Sequence, residues 1–258
     1  MNKTLNKAFQ VAVSILFWFL VWVVASYRVN NAFLLPSPVK TLRATWELLK
    51  TSDFWLIAFN TLGRIFLGIF IATLIGIVVA IATSKVTFFD TLLSPAMSAV
   101  KATPVASFAF LAVLFIGHDV LPIFITALLV LPIIWTNVSA GIKGVSKEHK
   151  EVAKVYQFSK TKMLTKLYVP SVLPYFLAAC RSAIGLAWKA GVAAEVLCPP
   201  RRAIGTELYN AKNYLDTEKL FAVTLLTIIF SIILEKLLIY LISKLPIKSN
   251  VSSTEVRA

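Results

Sequence analysis

The stretch "KEHKEVAKVYQFSKTKMLTKLYVPSVLP" runs from Lys147 to Pro174. It places a lysine every few residues in the middle of an otherwise oily chain. Glu148 to Tyr156 reads as one short helix, with Val152, Val155 and Tyr156 on a shared face. Ser159 is placed to cap a second helix whose apolar side is Met163, Leu164 and Leu167. Pro170 and Pro174 are expected to stop that helix and open the next apolar run. The residues on either side decide what kind of chain carries such an elbow.

They are long apolar runs. The chain has 258 residues, of which 58% are hydrophobic and only 15% charged. A soluble domain carries roughly a quarter charged residues, so the composition points to an integral membrane protein. A span needs about 20 mostly apolar residues. Six candidates fit, at about 9–27, 62–83, 96–116, 120–141, 174–197 and 219–243. No linker is long enough to separate domains, so residues 1–258 read as a single all-α transmembrane domain with a polar tail at about 246–258.

The formal net charge of +14 does not argue for nucleic acid. The Lys and Arg fall mainly between apolar runs, where they report topology. If the N-terminus is cytoplasmic, the inner side holds Lys3, Lys7, Lys85, the cluster from Lys143 to Lys166, and Lys244, Lys248 and Arg257. The outer side holds Arg28, Lys40, Arg43, Lys50, Arg201, Arg202 and Lys212. The excess inside predicts that both termini are cytoplasmic. The basic start resembles a signal peptide, but its apolar stretch exceeds the roughly 7–15 residues of a signal core, and it reads as a retained span. Cys180 and Cys198, on one apolar run, are too far apart along a helix rising about 1.5 Å per residue to form a disulfide.

The first outer segment, "LPSPVKTLRATWELLK", offers Ser37 as N-cap and Pro38 as first helical residue. Val39, Leu42, Trp46 and Leu49 then recur at helical spacing, which describes a short helix on the outer membrane surface. Ser52 or Asp53 is expected to cap the next helix. Small residues line one stripe of the second span (Gly68, Ala72, Gly76, Ala80) and one of the fifth (Ala179, Ala183, Ala187, Gly191). Such stripes let backbones approach closely in lipid; a direct role in transport is the other reading. The third span carries Pro95 and Pro104 near its start, which implies either a simple kink or a break lining a watery path.

Charges within the spans are the candidate pathway residues. Lys189 is expected near the bilayer centre, where an unpartnered charge costs roughly 2.5–3.5 kcal/mol. Arg181 and Lys189 share a helical ridge with Gly185, while Lys189 and Glu195 are spaced too poorly to pair on one helix. Lys189 therefore faces a solute path or pairs with a group elsewhere. Arg181 is placed either to meet the path or to snorkel to the surface. Lys101, with Thr103 and Ser107, flanks the break at Pro104. Glu195, near the outer end, is either a path residue or a structural or gate hydrogen bonder.

The elbow "EVAKVYQFSKTKMLTKLYVPSVLP" resembles the EAA loop of ABC importer permeases. Glu151, Val152 and Ala153 fall on the motif's first three positions, and Pro170 on its later proline. "LLPSPVKTLRATWELL", "NTLGRIFLGIFIATLIGI", "RSAIGLAWKAGVAAEVL" and "IGTELYNAKNYLDTEKLFA" resemble the nitrate/sulfonate/taurine branch, over about residues 34–243. The resemblance implies a type I importer permease of about six transmembrane helices in the bacterial inner membrane. Its loop, about residues 142–170, would be a coupling helix docked on a separate ATPase dimer. Glu148, Glu151, Val152, Ala153, Tyr156 and Gln157 would form that dock: Glu151 pairing with a basic residue, Ala153 letting the helix seat closely, and Tyr156 buried in the cleft. Gln157 stands where the motif usually has Gly, which would relax the turn. "CPPRR" at 198–202 replaces a run that is usually Gly-rich.

The resemblance further implies a second permease copy, an extracytoplasmic solute-binding protein, membrane lipid around the bundle, and no cofactor on this chain. ATP and Mg²⁺ would belong to the ATPase. No G-x-x-x-x-G-K-[ST], H-E-x-x-H or G-x-S-x-G motif occurs, and His118 and His149 stand alone, so no catalytic site is expected. The solute stays open among sulfonates, taurine, nitrate, bicarbonate and vitamin precursors. Two rival classes are an ion-coupled secondary transporter, which more often shows inverted repeats and buried acids, and a membrane scaffold whose basic loop only rests on anionic lipid. Recovery of an ATPase in a manner dependent on Glu151 separates all three.

Overall fold

The structure, a computed structural model, describes residues 2–31 and 33–244. The polar tail expected at 246–258 lies outside the described residues. Everything described is helical or connecting chain. In chain order the helices are α1 (Asn2–Val29), α2 (Pro38–Lys50), α3 (Ser52–Lys85), α4 (Thr87–Ala102), α5 (Val105–Val113), α6 (Leu121–Lys143), α7 (Lys147–Val155), α8 (Lys160–Met163), α9 (Val169–Leu197), α10 (Ile204–Asn213) and α11 (Thr217–Ser243). A π-helical turn, Leu164–Tyr168, joins α8 to α9. Five helical stretches are long and apolar enough to cross a membrane, and α4 with α5 makes a sixth if the bent pair is one span.

Three long helices form the centre. The small residues of α3 and α9 are what let them meet. Gly68, Ala72, Gly76 and Ala80 are all buried, as are Ala179, Ala183, Ala187 and Gly191. A Cβ on Gly68 would sit 2.7 Å from the Ile123 carbonyl oxygen, and one on Gly191 would sit 2.5 Å from Ile65 Cγ1. Both distances are closer than atoms tolerate, so α3, α6 and α9 approach through these positions. Close packing is thus what the two stripes do. Two indoles of this core are paired: Trp135 Nε1 donates to Thr83 Oγ1 at 2.9 Å, and Trp188 Nε1 to the Thr227 carbonyl at 3.1 Å. Both cross between helices, where an unmade hydrogen bond in an apolar medium is costly.

Several local expectations are corrected. The helix that carries the second span starts at Ser52, within the stretch expected to open it, but its N-cap is Thr51, without a side-chain cap hydrogen bond, rather than Ser52 or Asp53. The third span is neither straight nor merely kinked. α4 begins at Thr87, and α5 leaves it at 103° across Thr103 and Pro104. Pro104 is the N-cap of α5, where its missing N–H costs nothing. Pro170 and Pro174 do not stop a helix. The chain stays helical from Lys160 to Leu197, and Val169 N reaches back five residues to the Leu164 carbonyl. That wider turn lies where the ring of Pro170 would crowd the carbonyl four residues before it.

α2 behaves as its pattern requires. Ser37 accepts from Lys40 N, and Pro38 opens the helix. Thr41 and Thr45 face inward and are buried, while Val39, Leu42 and Trp46 are exposed. An apolar face turned away from the bundle suits a helix lying on a membrane surface. α1 is held mainly at its C-terminal end: Trp22 stacks on Phe221 with ring centroids 6.0 Å apart and donates to the Pro36 carbonyl at 3.2 Å. No residue of its apolar window is buried.

Candidate functional sites at the two ends of the bundle

The elbow is built as two helices on a small apolar cluster. Ser146 caps α7, accepting from His149 N at 3.3 Å, and Ser159 caps α8, accepting from Lys162 N at 3.3 Å. Hydrogen bonds from its own backbone amide and from the Ser146 hydroxyl hold the Glu148 carboxyl below the usual carboxylate range. α7 ends in a reverse turn. Phe158 N donates to the Ala153 carbonyl and Gln157 N to the Lys154 carbonyl, both at 2.9 Å, with Gln157 at φ 47°. This is the left-handed terminus that favours Gly, so the turn keeps its shape without one. Lys162 Nζ lies 4.5 Å from the Phe158 ring centroid and closes the elbow.

α7 has two faces. Ala153 is 2% exposed and packs with Val145 and Leu167, flanked by Phe158, Met163 and Tyr168. Ala153 therefore seats α7 on this cluster and lies off its exposed face, because any larger side chain there would push against Leu167 and Val145. Glu148, Glu151, Val152, Val155 and Tyr156 point the other way and are exposed, Tyr156 at 72%. Gln157 shapes the turn beside them. The face left open thus carries two carboxylates and an aromatic ring.

The opposite end of the bundle holds a network the sequence reading missed. The N-cap of α10 is Ala203, which has no side chain able to cap the helix. Its first amides are met from other helices instead. Ile204 N donates to Thr61 Oγ1 at 2.9 Å, and Gly205 N to Glu195 Oε2 at 3.1 Å. Thr61 Oγ1 donates onward to Glu195 Oε2 at 3.0 Å. Glu195 is fully buried. Of the roles expected for it, the structural hydrogen bonder is the one this geometry supports; it does not face an open path in the chain.

Arg64 completes the network. Its Nη1 lies 3.5 Å from Glu195 Oε1, an ion-pair distance without hydrogen-bond geometry. Its Nη2 donates to the Arg201 carbonyl at 2.7 Å and lies 3.4 Å from Asp119 Oδ1, which also accepts from Arg201 N at 3.1 Å. One guanidinium therefore clamps the 198–202 loop, the α5–α6 turn and α9 together. The signal in the sequence was a charge inside the second apolar run, opposite in sign to Glu195.

The candidate pathway residues lie elsewhere. On α9, Ala178, Arg181, Ser182, Leu186, Lys189 and Ala193 form one exposed stripe, and a Cβ on Gly185 would meet nothing within 4 Å. Lys101 and Ser107 are exposed on either side of the α4–α5 break, and Thr103 is half-buried there, bonded to the Ala99 carbonyl. α5 packs on this end of α9 through Ala109, Ala112, Ala190 and Ala194. Among the described residues, neither Arg181, Lys189 nor Lys101 has an ion-pair partner.

The chain is thus a bundle of candidate spanning helices with a capped elbow at one end. Residues 65–245 match the family described as the binding-protein-dependent transport system inner membrane component, and the chain belongs to that family of multi-pass ABC importer permeases. It is 26% identical over 204 residues to the putative aliphatic sulfonates transport permease protein SsuC of Bacillus subtilis, covering 78% of this chain and 74% of that one. It is 30% identical over 222 residues to the bicarbonate transport system permease protein CmpB of Synechococcus elongatus, with 78% and 77% covered. The nitrate import permease protein NrtB of Synechocystis is 28% identical over 205 residues, with 74% and 72% covered. Among solved structures, an alginate ABC transporter in complex with an alginate pentasaccharide-bound periplasmic protein aligns with a TM-score of 0.59 at 12% identity, covering 93% of this chain and 94% of that one. An amino acid ABC transporter also aligns at 0.59, at 17% identity, with 72% and 90% covered. These two likenesses bear on the fold.

Proposed function

We propose that this permease carries a small anion along the α9 stripe, working as two copies of the chain around a shared path. The observation that carries the reading is the placement of Arg181 and Lys189 on the one open face of a membrane-spanning helix. A cation on such a face is tolerated only where water, a counter-charge or a second protein surface meets it. Ser182 on the same stripe, and Lys101 and Ser107 across the break, add donors suited to an oxyanion, while the Thr103 hydroxyl is spent on the Ala99 carbonyl. The relatives named for sulfonates, bicarbonate and nitrate share a compact anionic substrate. A relative named for formylaminopyrimidine does not, and the cationic stripe favours the anions.

In this reading the lysine-rich elbow and both termini are cytoplasmic. An ATPase dimer grips the outward face of α7 through Glu148, Glu151, Val152 and Tyr156, beside the turn at Gln157. A solute-binding protein delivers at the α10 end, where Glu195 and Arg64 brace the mouth. ATP and Mg²⁺ belong to the ATPase, and this chain contributes motion and a path but no catalytic group. The test is uptake of labelled sulfonate, nitrate and bicarbonate by the assembled importer carrying Lys189→Met. The expected result is loss of anion uptake at unchanged membrane abundance. Wild-type uptake would remove Lys189 from the path.

A further inference from the structure

A cavity of about 910 Å³ opens at the elbow end, between the last turns of α3 and α6, the elbow and the start of α9. Its walls are apolar, formed by Ile77, Ile81, Val138, Ile142, Val172 and Phe176 among others. Its lining charges are all of one sign: Lys85, Lys143, Lys150 and Lys160. Lys143 is held by Asp90 at 2.8 Å. Lys85, Lys150 and Lys160 have no acidic partner among the described residues. The carboxylates of α7 are no help to them, since Glu148 and Glu151 are exposed on the face that also presents Val152 and Tyr156. The cavity contributes nothing to the anion stripe or to the outward face of the elbow.

We infer that this cavity is a binding site for an anionic diacyl phospholipid, with an acyl chain between α3, α6 and α9 and the phosphate held by Lys85, Lys150 and Lys160. The chemistry excludes simpler occupants. A free inorganic anion satisfies the lysines but leaves the apolar walls wet, whereas an uncharged acyl chain fills the walls and leaves the lysines unanswered. Only an amphiphile with a negative head matches both parts, and basic pockets between spanning helices at a cytoplasmic face are suited to such headgroups. The lipid bridges α7 and α8 to α3 and α6, so it sits where any movement of the elbow against the bundle is felt. The inference rests on the proposed cytoplasmic placement of the elbow.

The experiment uses the assembled importer extracted from vesicles of phosphatidylcholine with phosphatidylglycerol. Native mass spectrometry counts the phosphatidylglycerol retained per permease, and ATPase recovery is followed in the same samples. Two variants are compared with wild type: the double change Lys150→Gln with Lys160→Gln, and Val172→Trp, which fills the cavity. Each lysine near a lipid phosphate contributes roughly a factor of five, so the double variant is expected to bind phosphatidylglycerol about 30-fold more weakly. Val172→Trp is expected to lose it with the lysines intact. Equal retention by wild type and both variants overturns the site. Displacement of the lipid by millimolar glycerol phosphate identifies a small-anion site instead and also overturns it. Failure of wild type to recover the ATPase counts against the proposed orientation and docking, whereas lipid loss is judged only in samples that keep it.

Discussion

Thr61 Oγ1 donates to Glu195 Oε2 at 3.0 Å while accepting from Ile204 N at 2.9 Å, so one hydroxyl ties α3, α9 and α10 together. The arrangement is a helix cap supplied in trans. The first amides of α10 have no local acceptor, and a buried carboxylate at a helix N-terminus meets both the orphan donors and the positive end of the dipole. Replacing Glu195 with Ala strips that acceptor and leaves Arg64 beside an empty site. The expected cost is about 3 kcal/mol, read as a lower thermal midpoint of the purified permease. Glu195→Gln keeps an acceptor for Gly205 N but loses the ion pair and turns an amide NH2 toward the Arg64 guanidinium, so it is expected to fall between wild type and Ala. Equal midpoints for Ala and wild type would show that the network contributes nothing to stability.

Gly205 is required by the same approach. A Cβ there would lie 2.3 Å from Glu195 Cβ, 2.6 Å from the Glu195 carbonyl carbon and 2.6 Å from Val196 N. Two of those atoms are backbone and cannot swing aside. Gly205→Ala is therefore expected to push α10 off α9 and reduce folded permease in the membrane severely, by more than the roughly 1 kcal/mol typical of a single substitution. By contrast Gly63→Ala, where a Cβ meets nothing within 4 Å, is expected to be neutral or slightly stabilising. Quantitative immunoblotting of membranes, with thermal unfolding of what is recovered, checks both.

Much of this fold was legible because lipid imposes simple demands. α6 fell within a few residues of its expected bounds, since an apolar run between Gly117 and a lysine has little freedom in where it starts and stops. Ser37, Pro38 and Ser159 were legible because capping chemistry is local. The small-residue stripes marked the helix contacts for the same steric reason that makes them pack.

What was not legible depended on partners distant in sequence. Arg64 and Glu195 are 131 positions apart, and nothing near either residue announces the other. The 103° break between α4 and α5 depends on where α5 finds α9, not only on Pro104. Ala153 was assigned to the outer face from a motif position, but the cluster of Val145 and Leu167 that covers it is set by how α7 folds back on the bundle. Pro170 was read as a stop because its missing N–H is a local rule, whereas the π turn that accommodates it involves the whole preceding segment.

Gln157 is held at φ 47° at the end of α7. A non-glycine residue in the left-handed region costs roughly 1 kcal/mol relative to glycine. Gln157→Gly is thus expected to stabilise the elbow by about that amount, partly offset by the greater freedom of glycine in the unfolded chain. Slower hydrogen exchange at the Phe158 amide, which closes the turn on Ala153, is the readout. Faster exchange in the variant would mean that the glutamine side chain, not the backbone, holds the turn.

The two faces of α7 predict opposite consequences for neighbouring substitutions. Tyr156 is exposed and its ring is free to enter a partner, so Tyr156→Ala is expected to leave the permease as stable as wild type while ATPase recovery falls at least about tenfold, the loss of a buried aromatic anchor. Glu151→Lys is expected to act likewise, by reversing the charge offered to the partner. Ala153→Leu works from the inside. Its added bulk meets Val145 and Leu167 and is expected to cost about 1–3 kcal/mol of local stability, loosening the elbow before any partner arrives. Hydrogen exchange across 147–168 in the ATPase-free permease separates these cases: it should rise for Ala153→Leu and stay unchanged for Tyr156→Ala and Glu151→Lys. If Tyr156→Ala loosens the elbow as much as Ala153→Leu, the outward face is part of the permease's own packing. If neither Tyr156→Ala nor Glu151→Lys lowers ATPase recovery, that face is not the dock.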